Sequence, residues 1–401
     1  MSEKRRDNKG RILKTGESQR KDGRYLYKYI DSFGEPQFVY SWKLVATDRV
    51  PAGKRDCISL REKIAELQKD IHDGIDVVGK KMTLCQLYAK QNAQRPKVRK
   101  NTETGRKYLM DILKKDKLGV RSIDSIKPSD AKEWAIRMSE NGYAYQTINN
   151  YKRSLKASFY IDCVRKNPFD FQLKAVLDDD TVPKTVLTEE QEEKLLAFAK
   201  ADKTYSKNYD EILILLKTGL RISEFGGLTL PDLDFENRLV NIDHQLLRDT
   251  EIGYYIETPK TKSGERQVPM VEEAYQAFKR VLANRKNDKR VEIDGYSDFL
   301  FLNRKNYPKV ASDYNGMMKG LVKKYNKYNE DKLPHITPHS LRHTFCTNYA
   351  NAGMNPKALQ YIMGHANIAM TLNYYAHATF DSAMAEMKRL NKEKQQERLV
   401  A

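Results

Sequence analysis

Four patches in the C-terminal half of this sequence hold side chains of kinds that handle phosphate chemistry, among them Arg221, Lys262, His339, Arg342, His365 and Tyr375. A guanidinium presents a planar fork of donors that meets two phosphate oxygens at once, which an ammonium cannot do. An imidazole moves protons near neutral pH, and a phenol becomes a nucleophile once its proton has somewhere to go. Arg221 lies in Thr218-Gly219-Leu220-Arg221-Ile222-Ser223-Glu224, where an apolar helix ends and another begins. There it is placed to face a cleft; the plain alternative is a solvated arginine beside a helix cap. Lys262 lies in Lys260-Thr261-Lys262-Ser263-Gly264-Glu265-Arg266, a predicted turn between two strands. Lysines at such turns are usually solvated; the other reading is a mobile general acid able to reach a DNA backbone. In Pro338-His339-Ser340-Leu341-Arg342-His343-Thr344 the spacing puts His339 and Arg342 on one face near a helix N-terminus, which suits an oxyanion or phosphate. His339 and His343 also have the spacing of a metal pair, but Ser340 stands where a zincin needs Glu. Gly364-His365-Ala366-Asn367 reads equally as a helix C-cap, and Tyr374-Tyr375 as half-buried core.

The elements that must position these residues fall into three stretches. Residues 1–75 predict a small α+β module. Tyr25, Tyr27 and Tyr29 alternate on one strand face, Gln37–Trp42 returns, and the capping box Ser59-x-x-Glu62 opens a helix carrying Leu60, Ile64, Leu67 and Ile71. Residues 80–178 predict an all-α domain with helices opening at Thr83, Thr102, Ser129 and Thr147, the last stopped by Asn167-Pro168. Residues 184–401 predict a mixed, mainly α domain with a small antiparallel sheet from strands at 239–243, 254–258 and 266–270. Helices are expected there near 272–286, 312–326, 339–352 and 356–363, with a charged amphipathic helix after Asp381.

A chain of 401 residues exceeds one ordinary core. Its net charge of +18 favours a polyanionic partner. Residues 75–180 carry 22 basic against 13 acidic residues, so the bias is strong in the helical domain. A basic RNA-binding or ribosome-associated protein fits the same composition. No apolar run approaches the ~20 residues a bilayer span needs. No apolar h-region follows the basic N-terminus, so no signal peptide is expected. Cys57, Cys85, Cys163 and Cys346 have no paired spacing and read as reduced thiols of a cytoplasmic protein.

Taken in order, the segments TGLRISE, TKSGERQVP, PHSLRHTF, MGHANIAMT and NYYAH resemble the tyrosine recombinase (phage integrase) family. The arrangement is most similar to integrases of conjugative transposons from Gram-positive bacteria. The resemblance covers residues 80 to the end, and the N-terminal module more loosely. It implies that Tyr375 attacks a DNA phosphodiester to leave a 3′-phosphotyrosyl link, with His339 as base and Lys262 protonating the 5′-oxygen. Arg221 and Arg342 would clamp the non-bridging oxygens, and His365 would hydrogen-bond the same phosphate. The link conserves the bond's free energy, so neither ATP nor a metal is implied. The three stretches become an arm-type DNA-binding module, a core-site DNA-binding domain and a catalytic domain.

Double-stranded DNA is then the partner, at core-type and arm-type sites, through Arg20, Lys21, Arg24, Lys28, Lys97, Arg99, Lys100, Lys152, Arg153 and Lys156. A recombination tetramer and accessory excision or DNA-bending proteins are implied, and no membrane. The C-terminal helix, with Met384, Met387 and Leu390 at helical spacing, could dock on a neighbour or on its own core. One departure stands out: Phe159 to Pro168 runs about one helical turn shorter than in relatives. A type IB topoisomerase-like or resolvase activity would use the same chemistry without joining two partners. A non-catalytic regulator would not need these residues, and a nuclease using His339, His343, His365 and His377 would need a metal.

Overall fold

The computed structural model describes residues 5–31, 34–73, 81–95, 98–159, 166–181, 185–259, 261–285 and 291–375, with positions 384 and 387. The chain divides into two compact units, residues 1–182 and 183–401.

The first unit contains two separate hydrophobic clusters. In the first, β1 (Glu17–Gln19), β2 (Tyr25–Ile30) and β3 (Pro36–Ser41) form an antiparallel sheet in that order. Tyr25 pairs with Ser41 and Tyr27 with Val39, so these side chains share a face. That face meets α1 (Leu60–His72): Tyr25, Leu13, Leu44 and Leu60 are buried together, with Tyr27, Val39 and Ile64 against them. Ser59 caps α1 through the expected box with Glu62. The strand tyrosines are therefore core on this side, while Lys28, Ile30, Phe38 and Tyr40 are exposed on the other.

The second cluster is helical: α2 (Leu84–Ala93), α3 (Lys100–Lys115), α4 (Pro128–Glu140) and α5 (Tyr145–Ser158). They bury Trp134, Tyr88, Leu109, Leu113, Ile148 and Leu155 together with Phe169. Thr83 opens α2 as expected, and the structure adds a capping box with Gln86. Helix α5 starts at Tyr145 and not at Thr147, because Tyr145 itself joins the core. Asn167 ends this region by donating to the Lys156 carbonyl and accepting from the Phe169 amide.

In the second unit, α6 (Glu189–Ala201), α7 (Tyr209–Thr218) and α8 (Ile222–Gly227) precede the strands. The expected single sheet is instead two. β4 (Leu233–Asp234), β5 (Leu239–Ile242) and β8 (Arg266–Pro269) form one, and β6 (Gln245–Asp249) and β7 (Gly253–Glu257) pair as a hairpin. Gly253, at φ 82°, turns that hairpin, and β6 was not anticipated. The segment with Lys262 therefore links two sheets; it is not a hairpin tip. Helices α9 (Glu272–Ala283), α10 (Ala311–Tyr328), α11 (Pro338–Asn351), α12 (Pro356–Met363) and α13 (Ile368–Leu372) complete the unit. Its main core joins Ile212–Leu216, Phe225, Val240, Val268, Phe278, Met318 and Leu341. No described helix is long and apolar enough to cross a membrane. Lys260, Cys163, His377 and Leu390 lie outside the described residues, as does most of the expected helix after Asp381.

Candidate active site

Helix α7 is buried over nearly all its length, so its end is fixed by the core. It stops at Gly219, whose φ of 62° is left-handed; a Cβ there would stand 2.4 Å from the Phe345 ring. This tight exit lets Arg221 take the N-cap position of α8. Its Nη1 donates to Glu224 Oε1 at 2.7 Å and its Nη2 to the Gly364 carbonyl at 2.7 Å, while its backbone N–H donates to Glu224 Oε2 at 2.9 Å.

Glu224 is 4% exposed and also accepts from Arg266 Nη1 and Nη2 at 3.1 and 2.9 Å. Burial alone would raise its carboxyl, but the Arg266 charge and hydrogen bonds, helped by Arg221 and Arg342, hold it down at about 2. Arg266 also donates to the Ile362 and Gly264 carbonyls, so one buried ion pair ties β8 to α8 and to the end of α12.

Helix α11 begins at Pro338 behind the Thr337 cap, whose hydroxyl accepts from the Ser340 amide. His339 is exposed near this N-terminus, its ring edge-on to His343 at 4.4 Å. Arg342, one turn on, is 3% exposed and donates to the Gly219 and Met363 carbonyls. These carbonyls close α7 and α12, where the helix dipoles are negative. Burial, then the nearby Arg221 charge, pull the Arg342 guanidinium down to about 9. Gly364 ends α12 at φ 60°, with Arg266 and Ser263 3.0 Å from where a Cβ would sit. His365 follows it, buried, with Nδ1 hydrogen-bonded to Thr371 Oγ1 at 2.9 Å.

Arg221, His339, Arg342, His343, His365 and Tyr374 line one cavity of about 520 Å³. A neighbouring cavity of about 330 Å³ shares Arg221 and His365 and adds Glu224, Gln245, Thr261 and Gly264. Four of the six residues that the resemblance assigns to the chemistry thus meet in one place. Lys262 is exposed in a single helical turn, Lys262–Gly264, beside the second cavity but not lining it. Tyr375 is directed away: its hydroxyl donates to the Met354 carbonyl at 2.6 Å. Tyr374 takes the place inside, its hydroxyl hydrogen-bonded to His343 Nδ1. Burial pushes the Tyr374 phenol up to about 12 and raises that of Tyr375 as well.

His339, His343 and His365 form no metal-binding trio among the described residues. The group that could is Asp232, Asp243 and His244, and both His244 nitrogens are already engaged, by Asp243 and the Gly227 carbonyl. Sequence reasoning gave no role to Glu224 or Arg266. The Arg-x-x-Glu spacing at 221–224 is that of a cap-and-box pair, and Arg266 occupies a buried phase of its strand, so a signal for both was present.

Among the basic residues expected at DNA, Arg20, Lys21, Lys28 and Arg153 are exposed. Arg20 and Arg24 each lie 5.6 Å from the Tyr40 ring centroid, and Arg24 lies 5.6 Å from that of Trp42. Arg99 stands at the N-cap position of α3 without a side-chain cap hydrogen bond, and Lys100 is the first residue of the helix, both half-buried. Lys156 pairs with Asp170 at 2.5 Å. Lys152 is folded inward, 7% exposed, its ammonium 5.0 Å from the Phe171 ring. Lys97 lies outside the described residues.

Residues 185–382 match the phage integrase family, and residues 1–71 match the DNA binding domain of Tn916 integrase. The transposase from transposon Tn916 of Enterococcus faecalis and that from Tn1545 of Streptococcus pneumoniae are each 99% identical to this chain, covering 100% of both partners. Those alignments run over 405 residues, four more than the 401 present here. The contraction expected between Phe159 and Pro168 falls largely on residues 160–165, which lie outside the described residues. The solved Tn1549 transposon integrase in complex with a circular intermediate DNA is 65% identical, with TM-score 0.74 over 77% of this chain and 99% of that one. The same integrase, solved with transposon right end DNA as a tyrosine-to-phenylalanine variant, is 64% identical at TM-score 0.74, over 77% of this chain and 100% of that one.

Proposed function

The chain belongs to the phage integrase family of tyrosine recombinases, and from that premise we propose how its own residues cut and rejoin DNA. It is a site-specific recombinase of the mobile-element type, which cleaves and rejoins DNA through a 3′-phosphotyrosyl intermediate. The observation that carries the assignment of roles is the convergence of Arg221, Arg342, His339 and His365 on one cavity.

The scissile phosphate enters between Arg221 and Arg342. Their guanidinium groups are already oriented by backbone carbonyls and Glu224, so little reorganisation is needed as the pentacovalent dianion forms. Arg342, held down by burial and by like charge, gains an anionic partner on binding. Tyr375 attacks phosphorus while His339 accepts the phenolic proton. Lys262, on its exposed turn, protonates the departing 5′-oxygen, and His365 hydrogen-bonds the phosphate. The reverse sequence, with a new 5′-hydroxyl attacking the phosphotyrosine, rejoins the strands.

In the N-terminal module, the exposed sheet face of Lys28, Phe38 and Tyr40, flanked by Arg20 and Arg24, meets arm-type DNA. The helical domain contacts core-site DNA, Arg153 being its exposed cation on α5. Recombination proceeds in a tetramer with accessory excision or DNA-bending proteins.

One observation favours a second assignment: Tyr374, not Tyr375, has its hydroxyl in the cavity. A nicked suicide duplex incubated in EDTA decides between them. The expected result is a covalent adduct that maps to Tyr375 and is abolished by Tyr375→Phe. Attachment at Tyr374 would reassign the nucleophile, and a strict need for a divalent ion in cleavage would overturn the mechanism.

A further inference from the structure

Two adjacent tyrosines leave the same short helix and end in different environments. The backbone amides of Tyr374 and Tyr375 donate to the Thr371 and Leu372 carbonyls, both at 3.0 Å, so the pair continues the turn that closes α13. Successive side chains on such a turn diverge by about 100°, so only one can face the cavity at a time. Here it is Tyr374. Its ring stacks on His343 at 5.5 Å and 29° and runs nearly parallel to His365 at 6.4 Å and 16°. Its hydroxyl closes the arrangement on His343 Nδ1. Both rings pack against the cluster of Phe345, Leu359 and Met363, but the Tyr375 hydroxyl donates instead to the Met354 carbonyl. Each hydroxyl has one definite partner, and the two bonds hold the same register of the turn.

We propose that Tyr374 is a positioning residue that acts through His343 to hold this register, keeping Tyr375 on the Met354 carbonyl until DNA is seated. A phosphate and the Tyr374 ring compete for the wall of one cavity. Seating the phosphate on Arg221 and Arg342 displaces Tyr374, and rotation of the turn brings Tyr375 in. The register change then precedes chemistry and limits the rate of the first cleavage. The inference rests on Tyr375 being the nucleophile.

The test uses the full chain and a nicked suicide duplex that the parent protein cleaves, with single-turnover adduct formation followed over a range of DNA concentration. Tyr374→Phe keeps the ring and removes the hydroxyl bond. It is expected to raise the saturating rate about fivefold, the factor for one net hydrogen bond lost from the resting state, with the half-saturating DNA concentration unchanged. Tyr374→Leu removes ring and hydroxyl together and is expected to be faster than the parent as well. If Tyr374 only packs, Phe will match the parent and Leu will be slower, which overturns the proposal. Tyr375→Phe, run alongside, separates the two possible failures. Loss of adduct in Tyr375→Phe with an unaltered rate in Tyr374→Phe overturns the lock alone. Adduct that survives in Tyr375→Phe and vanishes in Tyr374→Phe overturns the lock and the nucleophile assignment together.

Discussion

Glu224→Gln is the most informative single change in the catalytic unit, because it keeps the shape of the side chain and removes only its charge. The carboxylate is 4% exposed and accepts from both Arg266 Nη atoms, from Arg221 Nη1 and from the Arg221 amide. Folding shifts its pKa from 4.5 to about 2. A depression of that size corresponds to about 3 kcal/mol of stability at pH 7, within the range found when one partner of a buried pair is removed. The sign is definite. A depressed carboxyl stabilises fully above its unfolded value of 4.5, and the contribution disappears as pH falls through about 2.

Urea unfolding of parent and variant, followed by the transition of residues 183–401, should therefore differ by about 3 kcal/mol at pH 7 and converge in acid. The variant also loses the anion that aims Arg221, so single-turnover cleavage should fall by about tenfold or more even where the protein is fully folded. A variant within about 0.5 kcal/mol of the parent at pH 7, or a difference that persists unchanged into acid, would refute the view that Glu224 anchors the arginines electrostatically.

Three further outcomes follow from the same geometry. Arg342, brought down to about 9, holds its charge below that pH and loses it as pH rises through it, so kcat/KM for cleavage should decline above pH 9; a profile still climbing well past that point would count against it. Gly219→Ala adds a Cβ 2.4 Å from the Phe345 ring at a left-handed residue, and should cost about 2 kcal/mol or more in unfolding while lowering cleavage through Arg221 and Arg342. Tyr40→Ala removes an exposed ring flanked by Arg20 and Arg24. It should weaken duplex binding by the full chain with little loss of stability, whereas Tyr25→Ala, in the core, should unfold the module; equal thermal shifts would contradict this division of faces.

Much of this molecule was legible in the linear order of residues. The helix starts at Ser59 and Thr83 were legible because a cap and its partner are three residues apart and need nothing distant. Arg221, His339, Arg342 and His365 were legible through the order of motifs that resembles the tyrosine recombinase family; with 72 lysines and arginines in the chain, residue type alone does not pick them out. Strand pairing was less so. The segment around Lys262 joins two sheets, because β8 pairs with β5 while β7 pairs with the unanticipated β6. Pairing partners are chosen by long-range packing, which local alternation does not encode.

The tertiary structure alone decided the rest. Glu224 and Arg266 become a buried pair only when β8 is laid against α8, and Lys152 turns inward only where Phe171 offers its ring. The orientation of Tyr374 and Tyr375 was equally out of reach of the sequence. Two identical side chains on one turn have the same local preferences. Which of them faces His343 and which the Met354 carbonyl depends on how α11, α12 and α13 pack around them.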